Sequence, residues 1–335
     1  MDPLSHAALG AALAEPAAHA RHVVAAVAVA AVGALAPDAD VLIRSSADPL
    51  LTLEYHRHFT HALVFTPVGA VLGALLLYPI SRRWLKFRDC VLYAWLGFLS
   101  HALLDACTSY GVLLFWPFSS ERVALDLVSA VDPLLTLPLL GFAVYGVLSR
   151  RTGFAVIGVA WALVYLGLGV VQHARAERAA RDLAMARGHA PVQIAAKPSF
   201  GNTLLWRTIY EADGIFHIDA VRTGFETVVF DGVTLPKLDV AREFPWLAPD
   251  TEQWQDVERF ARFTSGYLAV DPENGNRIVD IRYSLVPNRA DAFWGIELNA
   301  ATGPDEHAAY VTMRIRSSAE GRELLRMLFQ GDPVE

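Results

Sequence analysis

Two short motifs in the first half of the chain set histidine and carboxylate side chains beside apolar sequence: His58-Phe59-Thr60-His61 and His101-Ala102-Leu103-Leu104-Asp105. Residues three or four apart share one face of a helix, so each motif can aim two polar groups at one point. Histidine nitrogen and carboxylate oxygen are both good zinc ligands, and helical bundles build metal sites from such inward-facing pairs. The chemistry this suggests is hydrolysis by metal-activated water in an apolar setting.

Other polar residues widen the candidate site, and each has a plainer reading. Pro37-Asp38-Ala39-Asp40 ends an apolar run. Two carboxylates there are costly near a bilayer unless they pair, bind a cation or face water, and a solvated helix end is the simple alternative. A lone histidine would be a hydrogen-bonded structural residue, but His58 and His61 occur together with Arg57 beside them. His101 and Asp105 could instead form a hydrogen bond that ties helices together. Glu121, Arg122, Asp126 and Asp132 follow in the next loop and helix start, each ordinary alone. If a metal is present, Arg57 could hold a phosphate in bidentate fashion, and a carboxylate such as Asp126 or Asp132 could orient water or protonate a leaving group. Arg57, His58, Asp126 and Asp132 are therefore the candidate catalytic residues.

The elements that must position these groups are helices in a membrane. Apolar residues make up 54% of the chain and charged residues 19%, with long uncharged runs before Val171 and few after it. Segments 59–80, 90–104, 134–148 and 153–171 are expected to span, since about 20 apolar residues cross about 30 Å of hydrocarbon. Residues 4–14 and 22–36 are expected to form a helical hairpin broken at Glu15-Pro16, because proline removes a helix hydrogen bond. A signal peptide is disfavoured by the missing basic start and the charged stretch in the middle. Basic loops at Arg82, Arg83, Lys86 and Arg88 and at Arg150 and Arg151 should be cytoplasmic. That places Asp38, His61, Asp105 and Asp132 at the opposite face, with His6 joining them, and sends the second half outside. The net charge of −7, with no basic cluster interleaved with aromatics, excludes a nucleic-acid footprint. Cys90 and Cys107 lack a Cys-x-x-Cys partner and read as packing residues.

After Val171 the texture changes. Segment 173–189 reads as a charged connecting helix. Segments 203–210, 214–221, 226–230, 267–270, 277–285, 293–298 and 309–315 read as strands, from period-2 or β-branched patterning between Gly and Asp turns. A closing helix is expected over 320–330, capped by Ser317 or Ser318. Trp206, Trp246, Trp254 and Trp294 read as core rather than a ligand surface, and His217 and His307 lack spaced ligand partners. The expected fold class is multi-domain, α then α+β: a polytopic helical membrane bundle over 1–171, a connecting helix over 172–197, and a mainly β soluble domain over 198–335. The last would cover the site or recognise a partner.

Several ordered motifs carry a family resemblance: Asp2-Pro3-Leu4-Ser5-His6, Pro37-Asp38-Ala39-Asp40, His56-Arg57-His58-Phe59-Thr60-His61, Ser100-His101-Ala102-Leu103-Leu104-Asp105 and Phe115-Trp116-Pro117-Phe118. Over about the first 150 residues the chain resembles the predicted LexA-regulated, membrane-bound metal-dependent hydrolases. The resemblance implies hydrolysis at a metal site in the bacterial inner (cytoplasmic) membrane, with His6, Asp38, Asp40, His61, His101 and Asp105 at the ligand positions. The order His, Asp, His, His-x-x-x-Asp is also similar to the first half of the ligand order in zinc-dependent phospholipases C. Their further downstream His and His-x-x-x-Glu are missing from the helical region. Mixed nitrogen and oxygen donors favour zinc, with manganese or iron accepting the same set. A site at the lipid surface points to membrane lipids as surroundings and a lipid-like phosphoester as substrate. Ion and proton pathways also use intramembrane acids and histidines, so a transporter or channel is the competing reading. A pathway would spread polar groups over several depths, whereas these gather at one face.

Overall fold

The computed structural model describes residues 1–313 and 318–330. It has two compact units, one of Met1–Leu42, Tyr55–Val170 and Phe200–Asn202, the other of Ile43–Glu54, Val171–Ser199 and Thr203–Glu335. The order is as expected, a helical region followed by a domain of two antiparallel sheets.

In the first unit, α1 (Pro3–Ala14) is started by its own sequence: Asp2 accepts hydrogen bonds from the Leu4 and Ser5 amides, both at 3.0 Å, and Pro3 takes the first helical position. α2 (Val23–Leu35) completes the expected hairpin and runs into a 3-10 turn over Ala36–Leu42. α3 (Leu51–Tyr55) is a short turn shared with the second unit. α4 (Thr66–Ser81) begins later than the expected span, after 3-10 turns over Phe59–His61 and Leu63–Phe65, because Pro67 suits a first helical turn and not an interior. α5 (Phe87–Ala106) packs on α1, α2 and α4, and α6 (Pro133–Ser149) packs on α1.

Among the described residues three stretches are long and apolar enough to cross a membrane: Val23–Leu42, Leu63–Ser81 and Gly153–Ala186. The four spans expected over 59–171 are therefore only partly matched. α6 is apolar but has 17 residues. α5 is 20 residues long, yet it carries Arg88, Asp89, His101 and Asp105 and buries its face against its neighbours. α7 (Gly153–Ala186) joins the last expected span and the expected connecting helix in one helix of 34 residues. No proline or glycine interrupts 170–186, and its Ala, Arg and Glu are good helix formers.

Small residues decide how closely α2 and α5 approach. A Cβ on Gly33 would lie 2.7 Å from the Ala94 carbonyl oxygen, and one on Gly97 would overlap the Ala30 carbonyl oxygen. Both positions must be glycine for the backbones to touch, a packing mode common between membrane helices. His101 lies one turn beyond Gly97 on the same face of α5, so this contact sets where its ring falls.

In the second unit, β1 (Gln193–Pro198), β2 (Leu205–Ala212), β3 (Ile215–Thr223) and β4 (Thr227–Pro236) form an antiparallel meander. Its central hairpin turns at Asp213-Gly214, both with positive φ, as a two-residue turn of this type requires. β1 falls where a connecting helix was expected. β5 (Leu268–Asp271), β6 (Asn274–Asp280), β7 (Trp294–Glu297) and β8 (Ala309–Thr312) form the second meander. α8 (Val240–Glu243) and α9 (Glu252–Thr264) were not foreseen, although Thr251 caps α9 and Val257, Phe260 and Phe263 make its buried stripe. α10 (Ser318–Phe329) is the expected closing helix; Ser317 and the end of the last expected strand lie outside the described residues. Of the four tryptophans read as core, Trp206 is fully buried and Trp254 and Trp294 are partly buried, but Trp246 is exposed, against that reading.

Gly97→Val should destabilise the protein at the upper end of the roughly 1–3 kcal/mol typical of overpacking, and move His101. Thermal unfolding in detergent checks this, and an unchanged transition would remove the contact from its place in the fold.

Candidate metal centre

Four side chains converge in the first unit: Asp38, His61, His101 and Asp105. They come from the turn after α2, the turn before α4 and the last two turns of α5. Nε2 of His61 and Nε2 of His101 stand 2.9 Å apart. Asp105 Oδ2 is 3.5 Å from the first and 3.6 Å from the second, and Asp38 Oδ1 is 3.6 and 3.5 Å from the same two atoms. Four ligands about 2.0–2.1 Å from a tetrahedral ion stand about 3.3 Å from one another. The observed separations bracket that value, so these residues fit a divalent metal.

Proton placement sharpens the fit. His101 Nδ1 lies 2.6 Å from the Ala34 carbonyl oxygen, which can only accept, so Nδ1 carries the proton. Thr60 donates its hydroxyl to Asp40 Oδ2 at 2.8 Å, which leaves His61 Nδ1 to donate to the Thr60 oxygen at 2.9 Å or to Asp40 at 3.3 Å. In neutral rings both Nε2 atoms then present bare lone pairs to each other. Two lone pairs at that distance repel, so a positive charge, either a proton or a metal ion, must lie between them. His61, His101 and Asp105 are fully buried, and Asp105 Oδ2 has no hydrogen-bond partner among the described residues. Metal-ligating histidines commonly have their far nitrogen held in this way.

The other sequence candidates take different places. A 3-10 turn advances by three residues, so Asp38 and Asp40 point apart. Asp40 faces the loop, where Oδ1 meets His56 Nδ1 at 2.8 Å and Oδ2 accepts from the Arg57 amide at 2.9 Å. With Asp38 and His56 it forms a second grouping of ligand spacing, but its contacts are those of a carboxylate that orients His61. His6 is fully buried and stacked on His101 at 3.7 Å, with Nε2 3.2 Å from Asp105 Oδ1. It borders the four-atom group without belonging to it. That same Asp105 oxygen also meets the Met1 amino group.

Arg57 reaches the site from a left-handed backbone position, φ 61°. Its Nε is 3.0 Å from Asp105 Oδ2 but off the N–H direction, so the contact is Coulombic, while Nη1 donates to Thr108 at 3.0 Å. The Tyr110 ring lies 4.9 Å from the guanidinium carbon. That backbone reversal turns His58 away: its ring sits 5.5 Å from both Tyr55 and Trp116, outside the cluster. Asp132 is not brought to the site either. It caps α6 through the Leu134 and Leu135 amides and takes the Tyr165 hydroxyl at 3.0 and 2.9 Å. Asp126 stands in the loop at φ 56° and is not one of the four. His56, Thr60 and Thr108 are not among the candidate residues, although the first two lie in the His56–His61 motif. The density of histidines in His56–His61 was the available signal for the first.

A third grouping, Asp48, Asp256 and His307, lies in the second unit. Arg259 fills it, donating to both oxygens of Asp48 at 3.0 and 2.9 Å, to Asp256 at 3.1 Å and to Glu54 at 2.8 Å. Burial alone would raise the Asp48 carboxyl, but the Arg259 hydrogen bonds and charge reverse this and hold it below the usual carboxylate range. A guanidinium in the centre repels a second cation. His307, which lacks a partner by spacing, finds Asp256 at 2.9 Å. His217 stacks on Tyr210 at 4.6 Å.

The family profile described as YdjM inner membrane protein matches residues 1–176. The inner membrane protein YbcI of Escherichia coli (strain K12) is 41% identical over 93 residues, 27% of this chain and 51% of that protein, so the chain spans about half its length. The uncharacterized protein YfhP of Bacillus subtilis (strain 168) is 23% identical over 259 residues, 75% of each chain. No solved structure matches.

The purified protein should hold a tightly bound divalent ion that His61→Ala and His101→Ala each lose while remaining folded. Asp40→Asn should weaken binding about 10–100-fold, as loss of an orienting partner does. His307→Ala should leave metal content unchanged. Elemental analysis with chelator competition reads all four, and the ion should leave as the pH falls because protons compete for the two Nε2 atoms. Stoichiometric metal in both site variants would sink the assignment.

Proposed function

The chain belongs to the YdjM inner membrane protein family, and from that premise we propose that it is a membrane-bound, metal-dependent hydrolase of phosphoesters on lipids or lipid-linked molecules. The observation that carries this reading is the convergence of Asp38, His61, His101 and Asp105, whose ligand atoms lie within 4.8 Å of one another with three of the four residues fully buried. Their mixed nitrogen and oxygen donors suit zinc, with manganese or iron as substitutes. When bound, such an ion supplies Lewis acidity and lowers the pKa of water towards neutrality.

The chain's own residues divide the remaining work. Asp40 and the Ala34 carbonyl fix the rings of His61 and His101 with Nε2 inward. His6 covers the face of His101 and excludes water there. Arg57, beside Asp105, offsets carboxylate charge and stands where an anionic phosphate would meet a guanidinium. The acid role considered for Asp132 is not carried forward, since its oxygens are engaged in the helix cap. The basic loops support an outward-facing site and second unit.

A transport reading draws on one observation. Glu15 is buried against Gly146, with no hydrogen-bond partner for either oxygen among the described residues. It stands nine residues from His6 at the other end of α1, about 13 Å along the helix, so ionisable groups do occur at a second depth.

With metal restored, the reconstituted protein should release phosphate from at least one of phosphatidic acid, lysophosphatidic acid and a polyprenyl diphosphate. Arg57→Ala should lower turnover about 100-fold with metal content retained. If no substrate is cleaved and sealed vesicles show metal-dependent ion flux that Glu15→Gln abolishes, transport replaces hydrolysis. Sidedness is tested by labelling single cysteines in intact cells, in a background without Cys90 and Cys107. Arg83→Cys and Arg151→Cys should be protected and Asp48→Cys reactive, and the reverse pattern would place the site on the cytoplasmic face.

A further inference from the structure

Beside the metal centre the first unit has an apolar cleft of about 360 Å³, lined by Leu63, Val64, Leu114, Phe115, Trp116 and Phe118. That volume lies within the range of small-molecule sites, about 300–1,000 Å³. The cleft is tied to the centre by the backbone. Leu63 follows the ligand His61 by two residues, a reach of at most about 7 Å. Leu63 donates its amide to the Leu114 carbonyl at 2.9 Å, and Leu113 donates to the carbonyl of Arg57 at 3.1 Å. Trp116 stands 5.5 Å from His58 and 6.3 Å from Phe59.

Its other end opens onto lipid. Val64, half exposed, is followed on the candidate span by Val68, Val71, Leu72, Leu75 and Leu76, all exposed. In an inner membrane protein that strip faces hydrocarbon. The cleft is therefore an apolar recess open to the bilayer, and its lining begins two residues after His61 in the chain. Phe118 is 86% exposed at its edge. A polar head cannot rest in such a lining without losing its hydrogen bonds, whereas an alkyl chain loses nothing there.

We propose that the cleft is the subsite for one hydrocarbon chain of the substrate, which enters from the bilayer along α4 and lays its first methylenes between Val64 and Trp116 while its phosphate reaches the metal centre. This rests on the hydrolase reading for the identity of the head group. It narrows the substrate class to single-chain amphiphiles, or to lipids able to lift one chain out of the bilayer.

The test uses the full chain in phosphatidylcholine nanodiscs and an alkyl phosphonate that carries bromine on the methylenes nearest its head group and cannot be hydrolysed. Bromine quenches tryptophan on contact, so the signal of Trp116 is the difference between wild type and Trp116→Phe. Quenching of that component should saturate in wild type and need about tenfold more phosphonate in Val64→Phe, which excludes about two methylenes. Equal metal content in the three proteins shows that the centre is intact. Quenching that rises linearly without saturation, or an unchanged Val64→Phe, would mean that the cleft is covered by bulk lipid and would overturn the proposal. Because nothing is turned over, saturation without any phosphatase activity keeps the cleft and rejects the hydrolase. Activity on amphiphiles without a Trp116 component does the opposite.

Discussion

His61 Nε2 and His101 Nε2 face each other at 2.9 Å because each ring's other nitrogen is already committed, one to a main-chain carbonyl and one to a threonine–aspartate pair. Neither ring can turn to relieve the approach without abandoning a buried hydrogen bond. The contact of α2 and α5 at Gly33 and Gly97 enforces the same arrangement from outside, since it brings the Ala34 carbonyl to His101. A larger residue at either position would separate the rings before it touched them.

Five aspartates illustrate how surroundings assign different work to one chemical group. Asp38 and Asp105 turn an oxygen towards the histidine pair and Asp40 turns away to hold it. Asp132 caps a helix and binds a tyrosine, and Asp48 is neutralised by an arginine. Where an acid already has its full complement of donors, a cation has little to gain. Asp105 Oδ2 lies beside the Arg57 guanidinium but receives no hydrogen bond among the described residues, so a further cation has more to gain there.

The helical unit separates these polar tasks from its outer surface. α5 carries two of the four residues of the centre, His101 and Asp105, and has α1, α2 and α4 packed against it. α4, α6 and α7 expose Leu76, Leu148 and Leu163, which suits hydrocarbon. A buried helix can hold ionisable groups on its inward face provided that they are paired, so its mean apolarity is a poor guide to its depth.

Much of this was legible in the linear pattern. Apolar runs and the Glu15-Pro16 break disclosed the first hairpin, period-2 patterning and the Asp-Gly turn disclosed most strands, and the spacing of His101 and Asp105 put them on one face. These are local properties, set by helix and strand periodicity and by the dihedral limits of proline and glycine. What spacing could not settle was direction. A left-handed residue at Arg57 sends His58 into aromatic packing and leaves His61 at the centre. A 3-10 turn divides Asp38 from Asp40, and the Tyr165 hydroxyl 33 residues away completes the engagement of Asp132. The continuity of α7 and the strand β1 were likewise outside the sequence reading, because the polar stretch after Val171 is compatible with either a new helix or the old one. Periodicity determines which residues share a face; only the close approach of separate segments decides which face meets which, because that depends on contacts between residues far apart in the chain.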